Sequence, residues 1–110
     1  FSPFTKETPR EMTLEDIERT IADFAAASAR AVSAGFDGVE VLGSAGYLIS
    51  EFLSPVTNER TDRYGGSQES RMRFGIEVID AVRRAVGEAP IVGLRVAGNE
   101  FVPGGGGSDL

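Results

Sequence analysis

The sequence holds 110 residues, 41% of them apolar and 25% charged, with a net charge of −6 and neither Cys nor His. That length suits one ordinary domain with a modest core, and the acidic balance argues against a nucleic-acid partner or a basic membrane-surface helix. The missing residue types exclude disulfides, thiol nucleophiles and Cys-held metals, and within this stretch they exclude Ser–His triads and His-ligated metals, so no metal site is expected.

Residues 1–12 are rich in Pro and charge and read as a loop. The start, Phe1-Ser2-Pro3-Phe4, lacks a signal-like segment and reads as a cut end, no apolar run approaches a bilayer span, and a cytoplasmic location is the default. Thr13 opens a helix, with Asp16 completing a capping box in the role usually taken by Glu. Leu14, Ile17, Ile21, Phe24 and Val32 recur at helical spacing, and Gly35 stops the helix. A strand is expected over residues 36–42, its core being Gly38-Val39-Glu40-Val41-Leu42. Gly43-Ser44-Ala45-Gly46 breaks it, and Tyr47 to Leu53 reads as a short helix with Leu48, Phe52 and Leu53 on its apolar side. Residues 54–66 form a long polar loop, of a length that is often functional. Ser67 caps the next helix, whose expected buried stripe is Met72, Ile76, Ile79, Val82 and Val86. Gly87 ends it. Pro90 precedes a second strand, Ile91 to Val96, and the Gly-rich run Pro103 to Gly107 reads as flexible.

No internal repeat is present. Short apolar strands separated by a helix argue for a parallel sheet covered by helices. A complete (β/α)8 barrel takes about 250 residues, so the pattern is that of an incomplete α/β unit.

Three residues break the pattern. Glu40 sits inside an apolar strand and shares a face with Leu42, while Val39 and Val41 face the other way. Arg95 is the matching anomaly in the second strand. Charged groups at such positions need partners: either each other, in a structural ion pair, or a ligand at a polar site. Tyr47 follows a strand end, where parallel α/β folds place their ligands, and its hydroxyl is able to donate a proton or hold an oxygen. The plain alternative is a surface ring with a wet hydroxyl. Gly65-Gly66-Ser67 and the Gly104–Gly107 run match no phosphate-binding fingerprint and read as a loop-to-helix junction and a flexible loop.

One ordered set of strings is more specific. Gly35-Phe36-Asp37-Gly38-Val39-Glu40-Val41, Gly46-Tyr47-Leu48-Ile49-Ser50-Glu51-Phe52-Leu53-Ser54-Pro55, Thr57-Asn58-Glu59-Arg60-Thr61-Asp62-Arg63-Tyr64-Gly65-Gly66-Ser67, Arg71-Met72-Arg73-Phe74 and Val92-Gly93-Leu94-Arg95-Val96 together resemble the FMN-binding old yellow enzyme family. The resemblance runs over residues 9 to 103 or so and implies a section of a (β/α)8 TIM barrel, from the third helix to the fifth strand. Residues 1–110 would form part of an FMN-binding domain, with two parallel strands under covering helices. It implies FMN as cofactor, NAD(P)H as reductant, hydride transfer from the flavin to an activated C=C bond, and protonation of the adjacent carbon by a Tyr. Tyr47 matches that catalytic Tyr, and Arg95 matches the fifth-strand Arg that lies against the pyrimidine edge of the flavin.

The departures matter. Typical members carry His and, three residues later, Asn or His ahead of the Tyr, a pair that holds the substrate carbonyl. Leu42 and Ala45 stand at those positions, and neither side chain donates a hydrogen bond. The string Val41-Leu42-Gly43-Ser44-Ala45-Gly46-Tyr47 is instead similar to the 2,4-dienoyl-CoA reductase branch, although that branch commonly has Glu where Ala45 stands. The branch implies a CoA thioester as substrate, with a 4Fe-4S cluster and FAD in the parent protein outside this chain. It also implies the remaining barrel segments as structural partners, without which the chain is expected to be inactive. The same scaffold leaves open an amine dehydrogenase of the trimethylamine type, or a half-barrel that only packs.

Overall fold

The computed structural model describes residues 5–106, and its elements run α1 (Leu14–Ser33), β1 (Gly38–Gly43), α2 (Leu48–Leu53), α3 (Gln68–Val86) and β2 (Ile91–Val96). The strands pair in parallel, with Gly38 opposite Ile91, Glu40 opposite Gly93 and Leu42 opposite Arg95. The expected strand over residues 36–42 starts two residues later and includes Gly43, which pairs with Val96 instead of breaking the strand, and its partner has the expected bounds. The loop at residues 5–12 precedes α1, and Phe1 to Phe4 lie outside the described residues.

The helix ends follow from their capping residues. The Thr13 hydroxyl accepts from the Asp16 N–H at 3.1 Å, and the Asp16 carboxylate accepts from the Thr13 N–H at 2.9 Å. Both orphan donors at the helix start are thereby satisfied reciprocally. Asp16 is buried and also accepts from Arg10 and Arg19, the latter at 2.7 Å. The Ser67 hydroxyl accepts from the Ser70 N–H at 3.1 Å to start α3.

Parallel pairing puts Val39, Val41 and Val92 on one face of the sheet, against Ile17, Ile21 and Phe24 of α1 and Phe74, Val78 and Val82 of α3. Glu40, Leu42 and Arg95 lie on the opposite face, which no described element covers. α2 adds Ile49 and Phe52 to the core, the Phe52 ring centroid lying 4.4 Å from that of Phe74.

The buried stripe of α3 differs from the expected one. Phe74, Gly75, Val78 and Val82 are buried, whereas Met72 and Ile76 are 40% and 51% exposed. The apolar arc of this helix is broad, and the flank facing α1 and α2 is the one covered. Met72 and Ile76 occupy the other flank, where helical spacing alone does not distinguish the two. Leu14, counted in the α1 stripe, is likewise exposed, and Ile49 rather than Leu48 or Leu53 is the aliphatic residue that α2 buries most deeply.

The loop over residues 54–66 is densely bonded. Tyr64, near its C-terminal end, is 1% exposed, and its hydroxyl donates to Glu77 Oε2 at 2.7 Å. Asn58 Nδ2 donates to the Phe52 carbonyl at 2.6 Å and to the Tyr64 carbonyl at 2.8 Å, while its Oδ1 accepts from the Arg60 N–H at 3.0 Å. Arg60 grips Asp62 at 2.6 Å and donates to the Met12 carbonyl at 2.7 Å. At Gly65 an added Cβ would come within 2.1 Å of the Arg60 carbonyl oxygen, so only glycine lets the loop close on itself here.

Candidate functional site

The site-bearing segments follow the carboxyl ends of β1 and β2, the end at which barrel enzymes bind their ligands. β1 ends at Gly43, and the chain turns through Ala45 at φ 60° and Gly46 at φ 73° before Tyr47. Ala45 is thus a residue with a Cβ held in the left-handed region, at a cost of about 1–2 kcal/mol relative to the right-handed form. Non-glycine residues held there cluster at functional sites. The turn delivers Tyr47 to the N-cap of α2, where its carbonyl accepts from the Glu51 N–H and the Ser50 hydroxyl, each at 2.9 Å. Its side chain makes no capping bond and is 63% exposed, so the ring stands free of the core at the mouth of the strand pair.

Arg95 and Glu40 meet on the uncovered face of the sheet. Arg95 Nε donates to Glu40 Oε1 at 2.6 Å, across the diagonal from Glu40 past Gly93 to Arg95. The Glu40 hydrogen bond, and then its charge, push the already high pKa of Arg95 further up. Both side chains remain more than half exposed. The two charged strand residues therefore do pair with each other, and they do so on the side facing away from the helices.

Two groups that sequence reasoning passed over hold this end together. Glu100 accepts from the Ser54 hydroxyl at 3.0 Å and from the Gly106 N–H, which ties the loop after β2 to the end of α2. The Gly-rich run is accordingly organised as far as Gly106, with Gly105 buried, in contrast to the flexible loop expected; Gly107 lies outside the described residues. Arg71 donates from Nε to the Leu53 carbonyl at 2.9 Å and from Nη1 to the Gly66 carbonyl at 2.5 Å. A cleft of about 560 Å³ opens between these elements, lined by Gly43, Ser50, Ser54, Arg71, Val96 and Glu100 among others. The one available signal for Glu100 was an isolated carboxylate ahead of a glycine run. Gly65-Gly66-Ser67 acts as a loop-to-helix junction, as expected. Among the described residues no cluster of acidic groups could hold a metal ion, and no helix is long and apolar enough to cross a membrane.

The element order and the parallel pairing are those of a section of a (β/α)8 barrel. The chain belongs to the NADH:flavin oxidoreductase / NADH oxidase family, whose model matches residues 3–108. It is 62% identical over 104 residues to a metal reductase of Desulforamulus reducens, covering 94% of this chain and 15% of that protein. It is 46% identical over 103 residues to an N,N-dimethylglycine/sarcosine dehydrogenase of Chromohalobacter salexigens, covering 94% of this chain and 15% of the relative. A solved structure of 2-naphthoyl-CoA reductase in complex with 2-naphthoyl-CoA superposes with a TM-score of 0.87 at 42% identity, over 94% of this chain and 16% of that one. The chain thus spans about a sixth of these proteins.

Proposed function

We propose that the full-length protein carrying this chain is an FMN-dependent NAD(P)H oxidoreductase that reduces a C=C bond conjugated to a thioester carbonyl, a CoA thioester being the substrate class. The observation that carries this reading is the strand-end mouth itself. Tyr47 is exposed there and carries a hydroxyl, while Leu42 and Ala45 offer no side-chain donor to a simple enone oxygen. The likeness to 2-naphthoyl-CoA reductase favours the same substrate class.

The residues present fit FMN at this site. The uncovered face of β1 and β2 offers a flat strip in which Gly93 carries no side chain, and Arg95 provides a fixed cation on it. Arg95 would hold the pyrimidine edge of the ring, where a cation stabilises negative charge on the reduced form. When bound, FMN supplies the hydride that it has received from NAD(P)H. Tyr47 gives its phenolic proton to the carbon next to the one that takes the hydride, and water at this open position returns a proton to the phenolate. The sum is one hydride and one proton added across the double bond. The remaining barrel segments, and a 4Fe-4S cluster and FAD elsewhere in the parent, belong to the same reading.

A second reading is oxidation of a secondary or tertiary amine on the same scaffold, favoured by the likeness to the N,N-dimethylglycine/sarcosine dehydrogenase. Anaerobic stopped-flow measurement on the full-length protein separates the two. Under the first reading, NAD(P)H bleaches the flavin absorbance and a dienoyl- or aryl-CoA thioester restores it. Bleaching by dimethylglycine or sarcosine, with no response to the thioesters, replaces the first reading with the second.

A further inference from the structure

Glu40 is an acidic residue in an apolar strand, and the proposed chemistry leaves it without a task. Its carboxylate is not spent on satisfying a buried group, since both it and Arg95 are largely exposed on the open face. It accepts a hydrogen bond from Arg95 Nε at 2.6 Å. A guanidinium held at Nε is restrained in rotation about its stem, and the edge formed by its two Nη nitrogens stays available to a further acceptor. The pair also carries no net charge. Any ligand lying against Arg95 feels a cation whose field is largely cancelled by an anion one hydrogen bond away.

Resting on the FMN reading above, we propose that Glu40 is a positioning residue and counter-ion for Arg95: it aims the Nη edge at the flavin and holds the reduction potential of the flavin below the value that an unpaired Arg95 would impose. Reduction places negative charge on the flavin ring. An uncompensated cation beside it favours the reduced form, and a neutral ion pair does so far less. The Glu40 carboxylate thereby keeps the reduced flavin a strong enough donor to pass its hydride on.

The test is the flavin midpoint potential of the full-length protein in wild type, Glu40→Gln, Glu40→Asp and Arg95→Gln, read by spectroscopic titration against reference dyes. Flavin affinity is measured alongside. In Glu40→Gln the preference for reduced over oxidised FMN rises about tenfold, which for this two-electron couple is a potential about 30 mV higher. Glu40→Asp, which keeps the charge, stays near wild type, and Arg95→Gln falls below it. An unchanged potential in Glu40→Gln together with a lowered one in Arg95→Gln overturns the role of Glu40 while leaving Arg95 against the flavin. Unchanged potentials in both variants overturn the Arg95 assignment and this proposal with it. A full-length protein that binds no flavin overturns the underlying reading. If Glu40→Gln does not fold, Glu40→Asp and Arg95→Gln still decide: a potential in Glu40→Asp displaced as far as that in Arg95→Gln overturns the proposal.

Discussion

Tyr64 and Glu77 are joined by a 2.7 Å hydrogen bond between the C-terminal part of a polar loop and the middle of α3. The Tyr64 ring is buried and packs edge-on against Phe52 at 6.2 Å, while Arg63 Nη2 donates to its hydroxyl at 3.1 Å. Burial, followed by the neighbouring Glu77 carboxylate, pushes the Tyr64 phenol above its ordinary pKa, so the ring stays neutral across the physiological range. Tyr64→Phe keeps the ring and leaves the Glu77 carboxylate without its phenol donor, which costs about 1.5–3 kcal/mol, the range for a hydrogen bond to a charged group. Tyr64→Ala removes the ring as well and costs about 3–5 kcal/mol. Denaturant unfolding of the full-length protein checks the order. Equal losses in the two variants would show that the hydroxyl, not the ring, holds the loop.

Ala45 gives a prediction of opposite sign. Its φ of 60° is unfavourable for any residue with a Cβ. Ala45→Gly therefore raises stability by up to about 1 kcal/mol, the relief of strain being partly offset by the greater freedom of glycine in the unfolded chain. A thermal melt reads this directly, and a lowered midpoint would mean that the Ala45 methyl makes contacts worth more than the strain.

Tyr47→Phe separates proton donation from packing. Under the proposed function the hydroxyl is needed where a proton reaches carbon, and flavin reduction has no such step. Reoxidation by the unsaturated thioester slows by about 10²–10⁴-fold, and flavin reduction by NAD(P)H stays near wild type. Stopped-flow traces of the two half-reactions decide; if both fall together, Tyr47 is structural.

Acid weakens the start of α1. Hydrogen bonding from Arg10, followed by the Thr13 N–H, holds the Asp16 carboxyl well below the usual carboxylate range. A lowered folded-state pKa contributes stability that is complete above the unfolded value, near 4, and is lost as pH falls from there toward the folded value. Asp16→Asn removes the charge and flattens the stability profile in that window. The check is the melting midpoint of both proteins from pH 6 down to pH 3; parallel profiles would assign the acid sensitivity elsewhere.

The isolated 110-residue chain retains no FMN through gel filtration and self-associates as its concentration rises. Its two strands leave Leu42 and Ile91 exposed on the open face, and Met72, Ile76, Leu94 and Val96 exposed beside α3 and β2. Apolar surface of this kind seeks cover, and unpaired strand edges offer a template for it. Stoichiometric flavin on a monodisperse monomer would contradict this.

The sequence makes much of this visible because local and global signals coincide. Thr13, Asp16, Gly35, Ser67 and Gly87 each mark a helix end where the structure has one, and the alternation in Val39-Glu40-Val41-Leu42 separates the faces of β1 correctly. Legibility fails where a long-range partner decides. Tyr64 sits among polar residues and is buried because Phe52 and Glu77 come to it from other elements. Met72 and Phe74 are both apolar on one helix, and the placement of α1 and α2 selects Phe74 for the core. Glu100 becomes meaningful once Ser54 is beside it. The pairing of Glu40 with Arg95 was readable as one of two outcomes, because the register that puts them on one diagonal is a property of two strands together.

The bonds that hold Tyr47's platform in place are mostly drawn from one uninterrupted stretch of chain. Asn58 reaches Phe52 and Tyr64, Arg71 reaches Leu53 and Gly66, Arg73 reaches Arg63, and Tyr64 reaches Glu77. Among the described residues, Arg60 reaches out of the stretch to Met12 and Glu11, and Ser54 reaches out to Glu100. A segment so wired to itself travels well in recombination. Crossover points placed at Gly43 and just after Glu77 would transplant the mouth of one family member onto the barrel of another with its supports attached. Breakpoints inside residues 58–66 would sever Asn58 or Arg60 from the groups they tie. Chimeras between relatives should accordingly survive at the edges of this block and fail within it.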